Sequence, residues 1–455
     1  LRGLGFAGAL LVLKSNGGLM NVDMARVHPE ELIESGPAGG VAYAAYLSDA
    51  TGFPNILHTD VGGTSFDASM VVGGRGLVSR NYELEWDVPI VVPMLDIHSV
   101  GAGGGSIAWV DEGGSLRVGP TSAGSEPGPA CYGRGGTAPT VTDANLVLGR
   151  LEPTLGDKFT LDRAAAETAL TAIASKMGMT VVQAAEAIVA IGCETMAQAV
   201  KMVITGRGRD PRDFVLASFG GAGPMHACFV AQALAIPRVI VPAYAGVASA
   251  FGATSMDLRH DLEAFCYGPV GEADTGRLND LLAGLETRGR ALLESDGIGA
   301  ADMVFVRTAQ MRYMGQTYEV EVPLPDGALD AAALASIAND FHRAHAVEYG
   351  VSSDEFAPAI VSLGVAAVGR TISPPAVDAQ HVAAGGDARK GERRVRFDGE
   401  WHDVTVWNGE ALHDGAGLNG PGIVEYEHSC AVLPPGSTAS VDAARNLIIT
   451  LAARK

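Results

Sequence analysis

Asp60-Val61-Gly62-Gly63-Thr64-Ser65-Phe66-Asp67 follows Asn55 to Thr59, a short run that reads as a buried strand. A strand that ends in Asp, two glycines that turn the chain, two hydroxyl residues and a second strand from about Ala68 make a hairpin. Glycines let backbone N–H groups converge on an anion without Cβ interference, and such nests bind phosphate. Gly62, Gly63, Thr64 and Ser65 are therefore candidate phosphate contacts, the last two through their hydroxyls as well. Asp60 and Asp67 are suited to hold Mg²⁺ through water or to order an attacking water. Read alone, the same residues also fit a tight hairpin with an Asx turn.

Working outward, a second glycine turn changes the balance. Phe219-Gly220-Gly221-Ala222-Gly223-Pro224 follows a strand predicted over Phe214 to Ser218 and opens a helix predicted over Ala222 to Leu234. A further strand, Val239 to Pro242, completes a β-α-β order and hence a parallel pair in an α/β sheet. Gly220, Gly221 and Gly223 let a flat ring lie against the backbone, where the helix start favours negative charge. A close-packed strand-to-helix turn is the other reading. Upstream, a strand is expected over Ala9 to Leu13 and a small-residue helix from Ser35 to about Asp49. Residues 81 to 150 are expected to form a long structured loop region with short strands, and a loop of that size is usually functional. Thr180 to Thr205 reads as one helix with an apolar stripe of Ile188, Ile191, Ala199 and Met202.

Composition bounds what the chain can do. Its 455 residues suffice for two or three domains with buried cores, and 47% hydrophobic with 18% charged residues is ordinary for a globular protein. The net charge of −20 offers no basic stripe for phosphate neutralisation, so a nucleic-acid partner is excluded. The one basic run, Arg389 to Arg396, is interrupted by Glu392 and reads as a solvated strand edge. Cys131, Cys193, Cys228, Cys266 and Cys430 lack C-x-x-C spacing, which suits a reducing cytoplasm better than a zinc ribbon or disulfide framework. The apolar start, Leu4 to Leu13, is too short to span a membrane, and no membrane role is expected. Because it begins with Leu and enters a strand-like run, the sequence reads as the middle of a longer protein.

The two glycine turns, about 160 residues apart, resemble the second phosphate loop and the adenosine loop of the actin/Hsp70/sugar-kinase ATPases. A third element narrows the family. Asp96-Ile97-His98-Ser99-Val100-Gly101-Ala102-Gly103-Gly104-Gly105-Ser106 is followed by Pro127 to Gly136 and by Thr140-Val141-Thr142-Asp143-Ala144-Asn145. Together with Gly206 to Phe214 and Arg312-Tyr313-Met314-Gly315-Gln316, this order resembles the hydantoinase A/5-oxoprolinase family, from about Leu11 to the C-terminus.

The resemblance implies an α/β, actin-like (ribonuclease H-like) ATPase core with a smaller C-terminal α+β or β-rich region. It divides the chain into 1–268, the ATPase domain; 269–373, an α+β region; and 374–455, a β-rich region entered through the Pro374 to Gly386 linker. Family members couple ATP cleavage to hydrolysis of cyclic amides such as hydantoins and 5-oxoproline; related ketone carboxylase subunits phosphorylate an enol oxygen. In both, phosphorylation makes a poor electrophile or leaving oxygen reactive, through positioning and charge neutralisation. The resemblance thus implies ATP and Mg²⁺ as cofactors, a small-molecule carbonyl substrate, a hydantoinase B-like subunit or domain as partner, and an oligomer. A ketone carboxylase subunit and a non-catalytic nucleotide-binding assembly module are the alternatives.

Site roles follow. Asp60, Asp67 and His98 are candidate catalytic residues, Asp60 also touching a nucleotide-borne Mg²⁺. Asp96, Gly103, Gly104, Arg134 and Asp143 are candidates for the substrate loop, Arg134 and Asp143 otherwise pairing with each other. His58 is expected to be packed, Cys131 to be a buried small residue, and His342 and His345 to lie on a solvated helix face. Two departures from the family stand out. An earlier phosphate loop of D-x-G-G-T type is absent, and Phe66 replaces a threonine of many hydantoinase-type members, as it does in the ketone carboxylase subunits.

Overall fold

The strand expected at Asn55 runs to Val61 and carries its apolar side chains inward, with Ile56, Leu57 and Val61 all buried. It pairs antiparallel with Phe66–Val72 across the glycine turn and parallel with Val215–Phe219 on its other edge. The latter pairs parallel with Arg238–Val241, and the helix Gly223–Ala233 connects them. The β-α-β order read from the sequence is therefore present, with boundaries displaced by about one residue. The computed structural model describes residues 1–79, 82–85, 88–90, 92–155, 159–353, 355–371 and 388–452; the Pro374 to Gly386 linker lies outside them.

These strands belong to a nine-stranded sheet that continues past Arg238–Val241 into Leu447–Thr450, Thr438–Val441 and Gly417–Asn419, all antiparallel. The helix Val181–Thr205 starts on a capping box in which the Thr180 hydroxyl and the Gln183 side chain satisfy each other's backbone N–H. It packs on the helices Val141–Val147 and Arg163–Met177 and on the strand Phe66–Val72. It is long and apolar enough to cross a membrane, but Ile188, Met196, Ala199 and Val200 are buried in the core of the protein. Met202 departs from the expected stripe: it is 60% exposed, while Val200 and Ile204 on either side of it are buried.

The compact units do not follow the boundaries 1–268, 269–373 and 374–455. One unit combines Glu34–Ser255 with Pro374–Lys455; the other combines Leu1–Ile33 with Met256–Ser373. The reason is strand pairing. The C-terminal strands complete the sheet that carries the glycine hairpin, while Leu19–Asn21 pairs with the start of Leu258–Pro269. The second unit is a six-stranded sheet against which the helices Thr275–Ser295 and Ala331–Tyr349 bury Leu278, Leu282, Ile337 and Phe341. There His342 and His345 are not on a solvated face. His345 is buried, its Nδ1 donating to Val351 O at 2.6 Å and its Nε2 accepting from Gln316, while Tyr313 Oη meets His342 Nδ1 at 2.6 Å. The Arg312-to-Gln316 motif thus closes a hydrogen-bonded network onto the loop after the helix.

Candidate functional site

Strand register decides which side chains can cooperate. Asp60 stands opposite Asp67, and Asp67 opposite Ser99 in the strand Ile97–Val100. Because successive residues alternate between faces, these three share one face. Ser99 Oγ donates to Asp67 Oδ1 at 2.6 Å, and Ser249 Oγ donates to Asp60 Oδ2 at 3.3 Å. Burial, and secondarily the neighbouring Asp67, pushes the Asp60 carboxyl up to about 6, with the Ser249 bond opposing. Asp67 is also raised by burial, the Ser99 bond opposing and Glu34 adding. Two carboxylates held together and partly desolvated are poised for a cation.

His98 is not brought to this pair. It stands opposite Ala68, on the other face of the sheet, since a one-residue step along a strand reverses the side chain. His58 shares the face of Asp60 but is fully buried behind it. Its Nδ1 meets Ser69 Oγ at 3.1 Å, and burial pushes it down to about 3. It is packed, as expected.

The glycines divide by the reason for their presence. A Cβ on Gly103 or Gly105 would come within 2.7 to 2.8 Å of the Gly63 backbone, and one on Gly104 within 2.9 Å of Thr142 Oγ1. Gly104 N and Gly105 N donate to Gly62 O and Gly63 O at 3.1 and 2.7 Å, and Thr142 donates through both N and Oγ1 to Gly104 O. The Gly103 to Gly105 loop is thereby knitted onto the hairpin turn. Gly220 has φ +83°, and a Cβ there would overlap Val61 O and Asp60 Oδ1. Gly62 and Gly63 differ. A Cβ on either would meet nothing of the described residues within 4 Å, and neither has a left-handed φ. Among the described residues, no backbone carbonyl accepts from the amides of Gly63, Thr64 or Gly221.

Both glycine turns face one cavity of about 1130 Å³, lined on one wall by Gly62, Gly63, Gly104, Thr142, Gly221 and Ala222. Its far wall comes from the strands Arg389–Phe397 and Gly422–Glu425 and the turn at Tyr426 to Ser429. Lys390 of the basic run is here, bonded to Glu425 at 2.6 Å and Glu152 at 3.3 Å, so the run is not merely a solvated edge. Asp60, Asp67 and His98 do not line this cavity, although Asp60 Oδ1 lies against Gly220, beside the cavity-lining Gly221. Sequence reading missed this wall because it placed residues after 374 in a separate region. It also missed Ser249, which is 189 residues from Asp60 and leaves no local signal.

The remaining candidates have structural partners. Asp96 pairs with Arg207 at 2.8 Å. Arg134 is exposed, donating to Ser125 O and lying over the Phe159 ring, and does not pair with Asp143. Asp143 is fully buried and accepts from Ala130 N, Cys131 N, Thr140 N and Thr140 Oγ1, so it caps the helix Val141–Val147 and pins the preceding loop. It is fully buried and does not line the cavity, so it is not presented to a substrate there. Asp143→Ala strands three buried backbone donors and should cost about 3 kcal/mol or more of stability. Chemical denaturation checks the loss, and MgATP affinity of the folded fraction should stay within twofold.

A nucleotide-borne Mg²⁺ asks for one or two carboxylates and takes its other ligands from phosphates and water. The paired, mutually repelling Asp60 and Asp67 fit that demand. No group of three or more His, Cys, Asp or Glu able to hold a metal ion without a nucleotide occurs among the described residues.

Comparison with known proteins gives the family. Residues 1–262 match the hydantoinase/oxoprolinase family model, and 271–451 match the hydantoinase/oxoprolinase C-terminal domain. The chain is 35% identical to caprolactamase subunit alpha of Pseudomonas jessenii, over 94% of this chain and 63% of that protein. It is 34% identical to the acetophenone carboxylase gamma subunit of Aromatoleum aromaticum, over 97% and 62%. The crystal structure of the ATP-dependent caprolactamase from P. jessenii superposes with a TM-score of 0.85 at 33% identity, covering 99% of this chain and 66% of that one. The chain therefore spans somewhat under two thirds of these relatives' own length. With the α/β actin-like core, both glycine turns and both domain models in place, the chain belongs to the hydantoinase/oxoprolinase family.

Proposed function

We propose that the chain is the nucleotide-handling part of a subunit of an ATP-dependent cyclic amide hydrolase, which activates a carbonyl by phosphorylation. The observation that carries this reading is the open pair Gly62 and Gly63. Among the described residues nothing fills the space a side chain would take, and no backbone carbonyl accepts from the Gly63 and Thr64 amides. Glycine at such positions serves a ligand that must touch the backbone, and converging amides suit a phosphate. Thr64 and Ser65 add hydroxyl donors. The base end of the nucleotide lies along Gly221 and Ala222, within the same cavity; Gly223 is buried behind them, a Cβ there meeting Ser218 Oγ at 2.8 Å.

In this reading Asp60 and Asp67 would hold a nucleotide-borne Mg²⁺, which would supply charge neutralisation for phosphoryl transfer. Ser99 and Ser249 fix the two carboxylates. The Gly103 to Gly105 loop, bonded to the hairpin turn, presents the carbonyl oxygen of the substrate next to the phosphate, and positioning of this kind supplies much of the catalysis in phosphoryl transfer. His98, on the opposite face, has no part in that step. As in its relatives that are named as subunits, the chain works with a partner subunit, for which a hydantoinase B-like polypeptide is the proposal.

One observation favours a second reading, an ATP-dependent ketone carboxylase subunit. Phe66 is buried at 1% exposure, opposite Val61 at the turn, where many hydantoinase-type members have threonine. ATP turnover by the full-length protein with its partner subunit separates the readings. Caprolactam, hydantoin or 5-oxoproline should stimulate ADP release at least tenfold without bicarbonate. Stimulation only by acetone or acetophenone with bicarbonate would establish the carboxylase, and none by either class would leave a nucleotide-binding assembly module.

A further inference from the structure

The hydroxyl that reaches Asp60 arrives by an unusual route. Ser249 is the second residue of the six-residue helix Ala248–Ala253, which crosses the helix Ser35–Thr51. The crossing is made by backbone on backbone. A Cβ on Gly39 would overlap Ser249 O, and one on Gly252 would overlap Gly39 O. Such close approach is possible only where neither helix carries a side chain. Gly40 extends the same device, since a Cβ there would stand 2.5 Å from His58 Nε2 and 3.3 Å from Ser249 Oγ. His58 Nε2 is buried without a hydrogen-bond partner and borders the same small space as the Ser249 hydroxyl.

We propose that Ser249 is a positioning residue for the reaction. The Gly39–Gly252 crossing delivers its hydroxyl to Asp60 Oδ2, and that bond holds the carboxylate in the one orientation that serves the phosphates. This inference rests on the role given to Asp60 above. The half-buried carboxylate has a repelling neighbour in Asp67 and, apart from Ser249, no side-chain donor among the described residues. Without the hydroxyl, repulsion from Asp67 would turn it away, and a misplaced group costs rate more than binding. The glycines of the Ser35–Thr51 helix then have a catalytic reason as well as a packing one.

A double-mutant cycle on the full-length protein with its partner subunit tests this. Ser249→Ala should lower kcat about tenfold, with KM for ATP and the calorimetric Kd of MgATP within twofold and the melting temperature unchanged. Ser249→Cys, a weaker donor of similar size, should fall between. In an Asp60→Asn background, Ser249→Ala should make no further difference. Equal fold-losses in both backgrounds would overturn the proposal, because Ser249 would then act independently of Asp60. So would a loss of kcat matched by a lowered melting temperature, or kcat left at the parent value. If Asp60→Asn alone keeps parent kcat, the reading of Asp60 fails instead, and the two failures are distinguishable.

Discussion

Asp60→Asn should lower kcat by about a hundredfold or more, with only modest change in nucleotide affinity, while making the folded protein more stable at neutral pH. The kinetic half follows from removing a charge whose contact with the metal and phosphates is made chiefly in the transition state. The stability half follows from burial. The folded carboxyl sits at about 6, above its ordinary 3.8. A raised carboxyl means that the folded state resists its ionisation. That cost is fully present above pH 6, shrinks as pH falls through 6, and is absent below about 4. Asn removes both the cost and the repulsion from Asp67, so stability should rise by on the order of 2 kcal/mol at pH 8. The melting temperature of the ligand-free chain should accordingly be a few degrees higher than the parent at pH 8, with the gap narrowing towards pH 5. A residue kept for structure would lose stability on replacement; a gain in stability joined to a loss of turnover marks a functional one. Steady-state kinetics and melts at the two pH values check both halves, and a variant with near-parent kcat would remove Asp60 from the reaction.

Gly220→Ala should be strongly disruptive for a single added methyl group. Its φ of +83° is a left-handed conformation that costs an L residue about 1–2 kcal/mol. The added Cβ would also overlap Val61 O and Asp60 Oδ1, one a backbone atom in the central strand and the other the carboxylate itself. Neither is the free end of a flexible chain, so the turn must move. A loss of about 3 kcal/mol or more is expected, together with a MgATP affinity at least tenfold weaker in the fraction that folds. Gly62→Ala provides the contrast. A methyl group there meets open space and no strained φ, so denaturation should be within about 0.5–1 kcal/mol of the parent. Calorimetry should still show MgATP binding weakened about tenfold, because the methyl occupies ligand space. If both variants lost stability equally, or if Gly62→Ala bound MgATP as the parent does, the assignment of the open glycines to phosphate would be wrong.

The parts of the fold legible in the sequence were those set by neighbours in the chain. The strand before Asp60, the glycine turns and the helix after Gly220 declare themselves through local chemistry: turn residues, N-caps and a change of period. The parallel pair followed from the β-α-β order alone. What escaped was pairing over long separations. Nothing near Leu447 says that it will lie against Val241, and nothing near Leu19 says that it will meet Leu258. Hence the compact units cut across the expected boundaries, and the far wall of the cavity was overlooked.

Individual site residues were misread for a related reason. Asp143 and Arg134 are polar residues in a glycine-rich loop, which suggests a binding role. Only the distances show that Asp143 turns both oxygens to the loop itself. His98 lies two residues from Asp96 in a motif, but its face of the strand depends on a register that the sequence leaves open. The histidines of the H-x-x-H segment lacked a third ligand in the sequence, yet they have hydrogen-bond partners in Tyr313, Gln316 and Val351.

The path of the chain through the nine-stranded sheet also sets a schedule for its birth. The hairpin at Asp60 and the strand Val215–Phe219 leave the ribosome early, but Arg238–Val241 waits for Leu447–Thr450, about 200 residues later, to cover its open edge. Translation at 5–20 residues per second makes that roughly 10 to 40 seconds. Meanwhile an apolar strand, Val239, Ile240 and Val241, all fully buried in the finished protein, offers its backbone to any passing chain. Nascent polypeptides halted anywhere before residue 447 should therefore be chaperone clients and prone to aggregate. The far wall of the cavity, beginning at Lys390, is made in that same last interval, so the cavity itself is finished late, only as the sheet closes.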